Sequence, residues 1–275
     1  MNAPAAGGNV TTEDPSLNPR VAIERWRNKE IDGTALLRRL VSYDKWMVPV
    51  SEAAAGEMLA QGAASRVIFN KDPQGVSRLF IFSDAEAYRR FREAAGTTQE
   101  QHFLTTKGTW VFRVPSDAID FLAIDTASPH EIAYGKELFP RLKEMADAVE
   151  VEEALLELRT SDNPRQGLLA LVRDYPAYSI AMQKTDQATR LGMAPDSKGR
   201  ALAAVFTHDD GFDAYYEDGK RLQPEGELLQ MNLAGPALFE HLSRMQFDGI
   251  VFNCNGPAQP IAFALQFAEV ALKAK

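Results

Sequence analysis

An internal repeat constrains the fold of this chain more than any other feature. Asp120 to Pro129 (DFLAIDTASP) overlays Asp248 to Pro257 (DGIVFNCNGP) at a constant offset of 128. Upstream, Phe82-Ser83-Asp84 stands where Phe206-Thr207-His208 stands, each at the end of an apolar run. Earlier still, Leu36 to Trp46 (LLRRLVSYDKW) overlays Leu168 to Tyr178 (LLALVRDYPAY), placing Tyr43 over Tyr175 and Trp46 over Tyr178. A diverged duplication of this size buries one pattern twice, and 275 residues suffice for two cores.

Periodicity and punctuation predict an α+β chain. Val21 to Glu30 and Gly33 to Ser42 read as short helices broken at Asp32-Gly33, with Leu36, Leu37, Leu40 and Val41 on one face of the second. Trp46 to Val50 predicts a strand with an edge-type Pro49, and Tyr178 to Met182 is its partner in the second copy. Arg66 to Asn70 predicts a strand closed by a turn at Asp72 to Gly75. Arg78 to Phe82 and Arg200 to Phe206 predict equivalent strands, each feeding a helix capped by Ser83 or Thr207. Trp110 to Val114 with Leu228 to Leu233, and Phe121 to Asp125 with Gly249 to Asn253, complete the strands. Pro236 to Met245 predicts a helix whose counterpart, Pro115 to Ile119, is mostly lost. After each last strand a tight turn leads to a helix, the C-terminal one opening at Pro260. Gly135 to Leu158 predicts one bent helix or two consecutive ones, and Ser161 to Pro164 a linker.

The organisation that follows is a flexible arm over 1–19, a first α+β domain over 20–134, a helical connector and linker over 135–164, and a second α+β domain over 165–275. A net charge of −8 argues against general nucleic-acid binding. The charge is uneven: Arg20 to Lys45 carries seven basic and four acidic side chains, Glu144 to Asn163 seven acidic and one basic. One cysteine excludes an internal disulfide and argues against a cysteine-based zinc site. Residues 1–19 lack the basic start and apolar core of a secretory leader, and no apolar stretch is long enough to span a bilayer, so a cytoplasmic location is expected.

A strand ending in Phe-Ser or Phe-Thr, a capped helix, and a later apolar strand ending in an Asn/Pro turn together resemble the SseB family, named for enhanced serine sensitivity. Trp46 to Val50, Leu79 to Asp84 with Asp120 to Pro129, and Val205 to His208 with Asp248 to Pro257 carry the resemblance. It covers nearly all of the chain after residue 30 as two tandem SseB-like domains, each a small mixed sheet with flanking helices. The family turn resembles Asn-Pro-Gly; here it is Asn253-Cys254-Asn255-Gly256-Pro257 and Asp125-Thr126-Ala127-Ser128-Pro129. The resemblance implies a bacterial cytoplasmic protein that acts through protein partners as an accessory or regulatory factor. It brings no catalytic residues and no cofactor.

Three functional classes follow. An interaction protein would use the basic helices (Arg25, Arg27, Arg38, Arg39) or the acidic connector (Glu150, Glu152, Glu153, Glu157). A small-molecule sensor, for an amino acid on the family's name, would use a groove framed by Trp46 and Tyr178 with the turn residues Asp125, Ser128, Asn253, Cys254 and Asn255. Turn formation alone also accounts for the Asn, Gly and Pro residues there. A Cys254-dependent enzyme needs a base within reach, and no spacing pairs His208 or His241 with that thiol. Asp209, Asp210, Asp213 and Asp218 do not match a calcium loop, the four histidines show no metal-ligand spacing, and no metal is expected.

Overall fold

The computed structural model describes residues 18–50, 69–96, 102–115, 117–184, 189–195, 198–222 and 227–274. The fold is α+β. The chain divides into two compact units, 1–140 and 141–275. The division falls ahead of most of the expected connector, not behind it. Most of the expected arm, residues 1–17, and the start of the strand expected at Arg66 lie outside the described residues.

The first unit runs α1 (Pro19–Arg27), α2 (Gly33–Ser42), β1 (Trp46–Val50), β2 (Phe69–Lys71), β3 (Ser77–Ile81), α3 (Ala85–Ala95), β4 (His102–Thr106), α4 (Gly108–Val111), β5 (Phe121–Ile124) and β6 (Ile132–Gly135). β3 and β5 are parallel; β2 and β6 flank them antiparallel. β1 pairs β4 and meets the end of β3 through a single bridge, Met47 to Phe82. Both residues of that bridge exchange N–H···O bonds, so the next such pair would need an N–H from Pro49, which has none. Alternation along β3 and β5 puts Leu79, Ile81, Leu122 and Ile124 into the core.

A 3₁₀ turn (Lys136–Leu138) leads into α5 (Phe139–Thr160), one continuous helix lying almost wholly in the second unit. That unit continues through α6 (Leu168–Asp174), β7 (Tyr178–Lys184), β8 (Thr189–Leu191), β9 (Met193–Pro195), β10 (Ala201–Phe206), α7 (Asp209–Leu222), β11 (Glu227–Leu233), α8 (Gly235–Ser243), β12 (Gly249–Phe252), β13 (Ile261–Ala264) and α9 (Gln266–Leu272). Its sheet is ordered β11-β7-β10-β12-β13, with β10 and β12 parallel. The first unit repeats this as β4-β1-β3-β5-β6.

The structure departs from the sequence expectations in three ways. Trp110 to Val114 is not a strand: its first residues close the one-turn helix α4, and the strand is His102–Thr106. The cause is Gly108, whose N–H donates to the Tyr43 carbonyl at 2.7 Å and whose missing Cβ would sit 2.3 Å from the Val41 carbonyl oxygen. Gly235 does the same at the start of α8, with its N–H on the Tyr175 carbonyl (2.8 Å) and a Cβ that would lie 2.0 Å from the Arg173 carbonyl oxygen. The helix α4 is therefore the shortened twin of α8. Next, the helices expected after the two tight turns begin as strands, β6 and β13, because each four-residue apolar run pairs with the strand before it. Finally, Ser83 and Thr207 are not the helix caps. Asp84 caps α3 by accepting the Ala87 N–H at 2.8 Å, and the His208 ring nitrogen accepts the Asp210 N–H at 3.3 Å.

Candidate functional site

The strand-end turns expected to bind a ligand are closed by the protein's own groups. In the first unit Asp125 is fully buried in a left-handed conformation (φ 48°), and its N–H continues the parallel ladder to the Ile81 carbonyl. One carboxylate oxygen accepts the Ser83 N–H at 2.7 Å and the other accepts the Ser83 hydroxyl at 2.6 Å. Arg20 of α1 reaches over the pair, with Nε 3.9 Å from Asp125 and Nη2 donating to Asp84 at 2.6 Å. Burial raises the Asp125 pKa above the ordinary aspartate value, opposed by the two Ser83 hydrogen bonds and by Arg20.

The second unit builds the same knot with other chemistry. Asn253 is buried at φ 55°, its N–H on the Val205 carbonyl, and its side-chain oxygen accepts the Thr207 N–H at 3.0 Å. That bond orients the amide nitrogen toward the Thr207 hydroxyl oxygen, which accepts it at 3.0 Å. The hydroxyl donates to Glu152 of α5 at 2.5 Å, with Asn253 Oδ1 a second acceptor at 3.2 Å, and Asn253 Nδ2 also donates to Glu152 at 3.3 Å. Other contacts recur: Asp120 accepts the Ser77 N–H and Asp248 the Ala201 N–H, both at 2.8 Å. Tyr43 donates to the Ser83 carbonyl at 2.9 Å, and Tyr175 to the Thr207 carbonyl at 2.6 Å.

Trp46 and Tyr178 are completely buried and frame no accessible groove wall. Trp46 donates its indole N–H to the Leu40 carbonyl (3.0 Å), and Tyr178 its hydroxyl to the Val172 carbonyl (2.8 Å). Each lies edge-on to the tyrosine three residues before it. Ser128 is half-buried and accepts the His130 N–H; Asn255 is exposed and donates to Asp218. Cys254 is half-buried beside Phe206, Phe212, Tyr215 and Tyr216. Burial pushes its thiol up to about 11, so it is protonated and weakly nucleophilic at neutral pH. Among the described residues no group of acidic, His or Cys side chains could hold a metal.

The charged helices expected to meet a partner are largely engaged at home. Arg25 donates to Glu30, and Arg27 to the carbonyls of Pro129 and Glu131. Arg38 is buried and Arg39 half-buried. Glu152 closes the second knot, Glu157 holds Arg165 through its N–H and its guanidinium (both 2.8 Å), and Glu150 and Glu153 are half-buried. Charge along the sequence could not show this for Arg27 and Glu152, whose partners lie far away in sequence.

What the first unit offers outward is apolar. The sheet face opposite Leu79 and Ile81 is covered by α3 through Phe91 stacked near Phe80 and Phe82, but the side over β5 and β6 stays open. There Phe80, Phe121, Ala123 and Ala133 line a shallow depression of about 320 Å³ with Arg78 and Glu131 at its ends. Phe121 is 38% exposed in mid-sheet, with the Arg78 guanidinium 6.0 Å from its ring centre. The equivalent of Phe121 in the second unit is Gly249, whose Cβ would meet the Phe263 carbonyl at 2.4 Å. A period-2 count along FLAI marks Phe121 as outward-facing, which is the signal by which the sequence could have shown it.

No protein-family model and no curated protein matches the chain. Among solved structures it is similar to Tic22 of Anabaena, described as a protein of protein transport, at 9% identity. The match covers 78% of this chain and 88% of that one with a TM-score of 0.21, too low to bear on fold or site.

Proposed function

We propose that this chain is a non-enzymatic bacterial cytoplasmic protein of the SseB type, built from a tandem duplication, that works by binding another protein as an accessory or regulatory factor. The observation that supports this reading best is the sheet face of the first unit, where exposed Phe121 and Ala133 and half-buried Phe80 line one depression with Arg78 and Glu131. An aromatic beside an arginine on an otherwise closed sheet has the composition of a protein-contact centre. The side chains of Asp125 and Asn253 at the strand ends, by contrast, are consumed by internal hydrogen bonds, and the Cys254 thiol is protonated at neutral pH.

Affinity capture of the tagged protein from its native cells, read by mass spectrometry, tests the reading when Phe121→Asp is run beside the parent. The expected result is one stoichiometric partner that Phe121→Asp loses while circular dichroism stays unchanged. A partner retained by Phe121→Asp would move the contact elsewhere, and capture of none would count against the interaction class.

A further inference from the structure

The two knots differ in charge, and the difference reaches the helix that closes each of them. Arg20 and Glu152 stand 132 residues apart, the offset that also relates Trp46 to Tyr178 and Leu40 to Val172. Around them Pro19, Ala22 and Ile23 of α1 are buried, and so are Val151, Ala154 and Leu155 of α5 at the same offset. Thus α1 and the C-terminal half of α5 are equivalent helices on equivalent seats.

We infer that each seat is a helix-docking site whose buried Asp or Asn dictates the charge of the helix it accepts. The chemistry is a matter of which charge or hydrogen-bond donors each knot turns toward its helix. Ionised Asp125 can only accept, so it takes the Ser83 hydroxyl proton and leaves a buried negative charge beside the seat. A helix seated there must bring a cation, and Arg20 is that cation. Asn253 is neutral, and its Nδ2 donates to the Thr207 hydroxyl at 3.0 Å and to Glu152 at 3.3 Å, so this knot turns donors toward the helix. A helix seated there must bring an acceptor, and Glu152 is that acceptor. Either helix on the other seat would meet groups of the wrong kind: a glutamate would face Asp125 and Asp84, and an arginine would face the Asn253 amide and the Thr207 hydroxyl, both of which donate to Glu152. The code keeps two look-alike helices of one chain on their own seats. It also defines the only kind of helix that could displace α1: one with a basic residue followed at +2 and +3 by small and branched apolar residues, as in Arg20-Val21-Ala22-Ile23.

Two further polar contacts of α1 fall on the same face. Glu24 pairs His130 at 2.7 Å, and Arg27 holds the Pro129 and Glu131 carbonyls. They anchor the helix whichever residue stands at position 20, so a change there is read locally and the full chain remains the test object.

Hydrogen exchange by mass spectrometry on the full-length protein decides the matter, with α1 and residues 151–160 followed separately. Arg20→Glu should speed α1 exchange by about tenfold or more, corresponding to loss of a charge-assisted contact and a new repulsion. Adding D84N and D125N to Arg20→Glu removes both facing acids, keeps the α3 cap, and should return α1 protection to within about threefold of the parent. On the other seat, N253D should expose 151–160 and Glu152→Arg with N253D should restore it. If Arg20→Glu does not fold, recovery of a folded protein by the triple variant supports the code equally. Unaltered α1 exchange in Arg20→Glu would overturn it. So would a triple variant no better protected than the single one.

Discussion

The first unit seals its parallel strand pair with a buried carboxylate and the second with a buried amide, on strand ends whose backbone bonds are the same. Asp125 and Asn253 share a left-handed conformation, a ladder bond and a grip on the N–H of Ser83 or Thr207. The backbone demands are therefore what the fold needs: a short side chain tolerant of positive φ that also carries an acceptor. Charge is left over as a free variable. Each unit has spent it differently, and a distant helix has adjusted.

The comparison predicts the largest losses where both units agree. Trp46→Ala and Tyr178→Ala each remove a fully buried ring, its hydrogen bond and its edge-on tyrosine contact. Each should cost about 3–5 kcal/mol in chemical denaturation. A loss below about 1 kcal/mol at either site would show that the two cores are not built alike. Gly108→Ala and Gly235→Ala come next. Both put a Cβ against backbone carbonyl oxygen that cannot swing aside, so each should cost about 1–3 kcal/mol, Gly235 the more because its contact is closer.

How much of this could be read from the sequence depends on what kind of signal each element carries. Gly33–Ser42 and Trp46–Val50 were legible to the residue, because one has a cap and a helical stripe and the other a short apolar run bounded by charge. The offset of 128 placed Asp125 on Asn253 without any structure. The strands β6 and β13 were not legible: four apolar residues have no period, and only pairing with β5 or β12 decides their state. Nor was α4, since Trp-Val-Phe-Arg-Val reads as a short apolar strand run until Gly108 is seen pressed against Val41. Arg20 and Glu152 escaped because opposite charges hide an equivalence, and because the helix of Glu152 looks like a connector when read alone. The acidic stretch was visible; that one of its members completes a buried knot was not.

A weaker effect separates the units by pH. Asp125 has a folded-state pKa raised above its ordinary value by burial, so the folded first unit takes up a proton before the unfolded chain does. As pH falls through that raised value toward the ordinary one, this group makes the fold more stable, and below the ordinary value its contribution stops changing. Glu86 and Asp174 run the other way, lowered chiefly by hydrogen bonds from Arg90 and Arg173. The readable quantity is therefore the parent minus D125N. That difference in stability should shift in favour of the parent on acidification through the window. A flat difference across the window would mean the Arg20 contact fully offsets the burial of the carboxylate.

The smallest effect falls at a position next to the knot where the units differ. Cys254 follows Asn253 as Thr126 follows Asp125, so Cys254→Thr installs the first unit's own residue. The thiol packs beside Phe206 and Tyr215, and Thr126 keeps a buried hydroxyl without a hydrogen-bond partner in its own unit. The exchange trades a soft apolar contact for a hydroxyl of similar size, with an expected cost of about 1 kcal/mol by denaturant midpoint. The same site gives a chemical check. With its thiol pushed up to about 11 by burial, Cys254 should react with iodoacetamide more slowly in the folded protein at pH 7.5 than after unfolding in urea. Labelling of the folded form as fast as the unfolded one would mean that the turn of the second unit opens in a way the first unit's hydrogen bonds forbid, and that the likeness of the two knots ends at Asn253.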